Sequence, residues 1–297
     1  MNKKKILPLL FDKLLSEHTR EKTEKIILYI ALLSFFVHLA LIYLVKFDLI
    51  NLSSDSELLE SPISAVYTPF SFILIYEVYL LIFYLPKSFT TYISKQYEII
   101  TLIIIRKIFK DLSSLELTSD WFAIKGDLQF TYDILASLLL FFFIFLFHQQ
   151  GKIKLNHNTD IQSTIDAFVD KKKLIAVILL PLFFVIALYT LVNWSTGISF
   201  SSIELPPLDS INDIFFDQFF TILILVDVVL LLISFFYTNK FHKIMRNSGF
   251  VISTILIRMY FGVSGLISTI LIIAAVLFGL AIITIHNQYE KNALLKN

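Results

Sequence analysis

The sequence predicts an all-α integral membrane protein, a helical bundle of two tandem four-span repeats, on three observations. Hydrophobic residues make up 57% and charged residues 16% of the 297 positions, against roughly 45–50% and 25% in ordinary globular domains. The apolar residues are gathered into runs of about twenty, the length a helix needs to cross a hydrocarbon core, without the alternation of β-barrel strands. A set of landmarks in the first half recurs in the same order in the second.

Residues 1–25 form a basic, partly amphipathic segment. Lys3, Lys4 and Lys5 precede Ile6, Leu7, Leu10, Phe11, Leu14 and Leu15, a pattern suited to the headgroup plane. Asp12 and Lys13 cut the apolar run too short for a cleavable signal. Six long apolar runs follow as spans: Ile26–Val45, Ala65–Leu85, Leu128–Phe147, Leu174–Trp194, Phe215–Tyr237 and Val263–Ile285. Two further segments, Tyr97–Leu115 and Gly249–Gly262, are apolar but carry Arg106, Lys107, Lys110 and Arg258. Hydropathy alone leaves them as crossings, re-entrant pieces or surface helices.

Charge bias favours crossing. With eight spans and a cytoplasmic N-terminus, 19 of the 25 Lys and Arg residues fall on the cytoplasmic side, and only Lys46 and Lys125 fall in outer loops. That distribution obeys the positive-inside rule at every loop. It predicts a multi-pass protein of the cell membrane with both termini cytoplasmic and outer loops around 46–62, 111–127 and 195–213. Gly249–Gly262 is short for a full crossing, so six- and seven-span arrangements stay open.

The repeat is carried by order as well as by composition. Ser34-Phe-Phe-Val-His-Leu-Ala-Leu41 recurs as Leu182-Phe-Phe-Val-Ile-Ala-Leu188, and Glu77 between aliphatic residues matches Asp227. Thr101-Leu-Ile-Ile-Ile-Arg106 matches Ser253-Thr-Ile-Leu-Ile-Arg258, and His148-Gln-Gln150 matches His286-Asn-Gln288. A lone charge at matched depth in two apolar helices is not a cheap coincidence. The repeats are then 26–150 and 174–290, joined by a basic cytoplasmic linker at 151–173. An even number of spans in each makes them parallel.

Four ionisable residues fall within the spans at matched positions, Glu77, Arg106, Asp227 and Arg258. Counted along the helices from the intervening turns, each acid reaches the bilayer midplane level with its own arginine, predicting Glu77–Arg106 and Asp227–Arg258 pairs across helical hairpins. A midplane charge costs about 2.5–3.5 kcal/mol even on the lenient insertion scale. Such pairs therefore either line or gate a path, or pin two helices in register without adding net stability. Lys107 and Lys110 extend the basic character of the third span, with Lys107 pointing away from the Arg106–Lys110 line and Lys110 snorkelling to the outer interface. A voltage-sensor reading is weaker, because Arg258 has no such row beside it. His148 and His286 close the last span of each repeat, as interfacial hydrogen-bonding groups or as a proton-linked gate.

Other classes are disfavoured. The chain has no cysteine, which removes disulfides and thiolate metal sites. It lacks the His-Glu-x-x-His, Gly-x-Ser-x-Gly and Gly-rich phosphate signatures, so the expectation is a non-enzymatic protein with no catalytic residue, cofactor or metal. A net charge of +1 argues against nucleic acid. The expected partner is the lipid bilayer, with a second copy of the chain or a soluble protein on the cytoplasmic face as further candidates. The function these features predict is a small ion channel or transporter with the acid–arginine pairs on its path. The alternative is a non-transporting membrane subunit, anchor or effector that docks a soluble partner through its basic segments.

Overall fold

A computed structural model describes residues 3–49, 62–113, 125–152, 162–196, 208–263 and 265–294. Among these residues the chain is helical, with no strand. The helices are α1 (Lys3–Leu14), α2 (Glu17–Lys46), α3 (Tyr67–Tyr84), α4 (Phe89–Ser113), α5 (Lys125–Gly151), α6 (Gln162–Thr196), α7 (Leu208–Phe235), α8 (Phe241–Phe261) and α9 (Leu266–Leu294), with a 3-10 turn at Pro62–Val66 before α3. Among the described residues six stretches are long and apolar enough to cross a membrane: Pro8–Lys46, Pro62–Tyr84, Leu128–Gly151, Asp166–Tyr189, Gln218–Phe235 and Leu266–Ala293. Each overlaps one of the six apolar runs read from the sequence. Most residues of the predicted outer loops, and 153–161 of the predicted linker, lie outside the described residues.

The helix boundaries follow from local chemistry and adjust three expectations. The Ser16 hydroxyl accepts the Thr19 N–H at 3.2 Å and caps α2, so residues 17–25 are helical and continuous with the first apolar run. The second half of the predicted linker is also helical, because α6 starts at Gln162. The Ser88 hydroxyl accepts the Thr91 N–H at 3.1 Å and opens α4. The segment that looked too short to cross is the second part of α8, whose 21 residues span roughly 31 Å at 1.5 Å per residue. Gly262 closes α8, and Gly265, at φ +78°, takes the left-handed conformation that turns the chain into α9.

The packing order is α2 on α3, α3 on α4 and α4 on α5, then α6 on α7, α7 on α8 and α8 on α9. The two sets meet where α5 packs on α9 and α4 on α8, while α6 touches α1 and α3. The centre is therefore built from α4, α5, α8 and α9. Tyr97 of α4, Phe147 of α5 and Phe250 of α8 pack there in a chain, edge-to-face and then tilted, at ring separations of 5.1 and 5.7 Å. The Ser253 hydroxyl lies 2.7 Å from the Tyr97 hydroxyl and donates to the Ala275 carbonyl at 2.7 Å, tying α4, α8 and α9 together. Gly279 makes that contact possible: a Cβ there would sit 1.7 Å from the Tyr97 oxygen.

Candidate functional site

Helix register sets the members of the predicted Glu77–Arg106 pair at different depths of the bundle. Glu77 lies eight residues above Leu85, where α3 ends, and the same depth in α4, counted from Phe89, falls at Gln96–Tyr97. Arg106 is about ten residues farther along, roughly 15 Å. Counting from Lys95 as the foot of the helix places Arg106 too low. The charged groups acting on half-buried Glu77 are Lys95, Glu98 and Glu24. The groups acting on Asp227 are Gln96, Tyr92, Thr254 and Lys172, and Thr254 lies four residues, roughly 6 Å, before half-buried Arg258 along α8.

Asp227 instead enters a buried polar node. It is 1% exposed, and Gln96 Nε2 donates to its Oδ2 at 3.1 Å. Tyr92 and Thr254 stand beside the same carboxylate. The Asp227 Oδ1 and the Tyr92 hydroxyl are both buried. The cation of the node is Lys172, also 1% exposed, whose charge acts on Asp227. Its Nζ donates to the Lys87 carbonyl at 2.7 Å and stands 4.5 Å over the Phe89 ring and 5.2 Å over Phe168, a partial replacement for lost hydration. Four helices, α4, α6, α7 and α8, thus converge on opposite charges with little access to solvent or lipid.

A second charged cluster occupies the other end of α4. Lys107 Nζ lies 2.9 Å from Asp133 Oδ2, and Gln129 Nε2 donates to Asp133 Oδ1 at 2.9 Å. Arg106 is buried, and together with Asp133 and Asp111 it acts on the Tyr260 hydroxyl. Lys107, expected off the Arg106–Lys110 line, thus pairs with Asp133 of α5. The Lys110 side chain lies outside the described residues.

At the end of the bundle that carries Lys87 and Lys172, the two predicted histidines each reach the neighbouring central helix. His148 Nε2 lies 2.9 Å from Glu98 Oε1 and 3.1 Å from the Ser94 hydroxyl. His286 Nε2 lies 3.1 Å from Arg246 Nη1 and 3.6 Å from Glu290 Oε1, and its Nδ1 faces the His242 carbonyl at 3.3 Å. Arg246 also donates from Nε and Nη2 to Asn247 Oδ1, and Asn247 donates to Ser234 at 3.4 Å. The ligand atoms of His242, His286 and Glu290 all fall within 4.8 Å of one another.

Sequence reasoning passed over Asp133, which lies inside an apolar run and was legible as an intramembrane acid. Lys172 stands in the run Lys171–Lys173 at the end of the basic linker, and nothing in the sequence singles it out. Glu290 stands four residues after His286 on one helix face, but His242 comes from another helix 44 residues earlier and joins only through the packing of α8 on α9. No protein-family model, curated protein or solved structure matches this chain.

Proposed function

We propose that the chain is a small transporter or channel of the cell membrane, whose path is organised by the buried charges around α4 and α8. The observation that carries this reading is that Asp227 and Lys172, each 1% exposed, lie between helices of the bundle. Ionisable groups at membrane depth are costly and, where they face a bundle interior, mark ion and substrate pathways. Asp227, with Gln96, Tyr92 and Thr254, is the acceptor end of the site, and Lys172 is its fixed cation. Arg106, Lys107 and Asp133 form the corresponding charged constriction toward the other face.

In this reading the bundle is two parallel four-helix repeats, α2–α5 and α6–α9, with eight crossings and both termini cytoplasmic. Matching packing orders support the repeat, and so does one recurring contact. The Ser94–His148 and Arg246–His286 contacts are both 3.1 Å long, and they join positions that the sequence alignment of the two halves brings close to equivalence. The crossings of α4 and α8 are supported by their lengths of 25 and 21 residues and by the clustering of Lys and Arg at one end.

The test is reconstitution into liposomes with ion and proton gradients. Wild-type protein is expected to pass an ion or proton current, and Asp227→Asn, which keeps the shape and removes the charge, is expected to abolish it while eluting as folded protein. Absence of flux from the wild type under every gradient would sink the proposal. Recovery of a stoichiometric soluble partner would then support the docking subunit, a reading favoured by the packing of α1 against α6, which brings the two basic segments together. Orientation is read by single cysteines in this cysteine-free chain. Ser54→Cys, Ser119→Cys and Ser201→Cys should react with an impermeant thiol reagent in intact cells, and Asn158→Cys should not.

A further inference from the structure

We propose that His242, His286 and Glu290 form a binding site for a divalent first-row transition-metal ion, independent of the charged path. Two imidazoles and a carboxylate are the donor set of zinc and of related ions such as cobalt. His286 and Glu290 stand on the last turns of α9 and His242 on the first turn of α8. Glu290 Oε1 is 3.6 Å from His286 Nε2 and 3.8 Å from His242 Nε2. Donors about 2.0–2.2 Å from a tetrahedral ion are themselves separated by roughly 3.4 Å. Two edges of the triangle are therefore already close to the bound geometry, and the third closes by a rotation of the partly exposed His242 ring.

The hydrogen bonds around His286 prepare it as a ligand. Its Nδ1 faces the His242 carbonyl, and its Nε2 faces the Arg246 guanidinium. A carbonyl can only accept and a guanidinium can only donate. Both contacts therefore select the neutral tautomer with the proton on Nδ1 and a lone pair on Nε2. That is the state a metal requires, with the second nitrogen held by a carbonyl in the usual supporting role. In the metal-free form Arg246 occupies the lone pair. Its other two nitrogens, Nε and Nη2, donate to Asn247 Oδ1 at 3.2 and 3.0 Å, so it can release His286 and keep its anchor. Binding thus exchanges an internal cation for an external one, and it ties the start of α8 to the end of α9. His242 and Glu290, each with a 19% exposed side chain, leave an entry route and an open coordination position.

The experiment titrates the chelator-stripped, full-length protein in nanodiscs with Co²⁺, read by visible absorption, and then displaces the cobalt with Zn²⁺. The expected result is one equivalent per chain. Affinity should fall by about 100-fold or more in Glu290→Gln and in His242→Ala, both partly exposed and monitored for native elution. It should be unchanged in His18→Ala, which alters an exposed histidine elsewhere. Arg246→Gln should tighten binding by about tenfold, because a competing charge is removed. No stoichiometric cobalt binding in either wild type or Arg246→Gln, or binding that survives the loss of both His242 and Glu290, would overturn the site.

Discussion

Helices α2 and α8 invert the usual relation between hydropathy and burial. α2 lies in one of the most apolar stretches of the chain, yet only Ala31, His38 and Ile42 of its 30 residues are buried. Most of its remaining apolar side chains, such as Tyr29 at 74% and Leu33 at 65% exposure, point outward. α8 is too polar to qualify as a membrane span by hydropathy, yet eight of its 21 residues are buried, Asn247, Ser253 and Thr254 among them. A helix facing lipid must be apolar around its free surface. One surrounded by other helices can carry polar groups, provided each finds a partner. In this chain hydropathy reports which helices face outward and understates the ones that organise the interior.

The sharpest test of that contrast is the buried node. Asp227→Leu leaves the Lys172 charge without its anion, and losing one partner of a buried pair costs about 3–5 kcal/mol. The double variant Asp227→Leu/Lys172→Met should recover most of that stability in denaturant or thermal unfolding in detergent. Simple additivity of the two single changes would show that the residues are not energetically coupled.

A smaller loss is expected at the close approach of α4 to α9. Gly279→Ala drives a Cβ into the Tyr97 hydroxyl, which is held by Ser253 in a fully buried setting. Overpacking of this kind costs about 1–3 kcal/mol. Tyr97→Phe in the Gly279→Ala background should relieve part of the loss, because the clash is with the hydroxyl. Gly265→Ala tests the turn instead: at φ +78° an L-residue costs roughly 1–2 kcal/mol, with no packing change to confuse it.

The smallest effects belong to α2. Leu33→Ala or Tyr29→Leu changes a side chain that no helix covers, and surface substitutions away from special features fall within about 0.5 kcal/mol. A loss at Leu33 comparable to that at Gly279 would mean that α2 packs against something, a second copy of the chain in the first instance. Crosslinking in the membrane would then identify it.

Six apolar stretches, the all-helical class and the presence of charges inside the bundle were legible in the sequence, because the cost of exposing polar groups to lipid writes itself directly into composition. The position of Asp133 was legible too and needed only a closer reading of its run. Charge partners were not. Pairing depends on where a helix begins, and the start of α4 at Phe89 instead of Lys95 shifts Arg106 by more than a turn from Glu77. Tertiary packing alone decided that Lys172, from the edge of a basic segment, is buried beside Asp227, and that His242 meets His286 and Glu290. Such contacts join helices far apart in the chain, and their identity is set by the rotation and register of each helix against its neighbours. Hydropathy constrains those two quantities only by which face is outward.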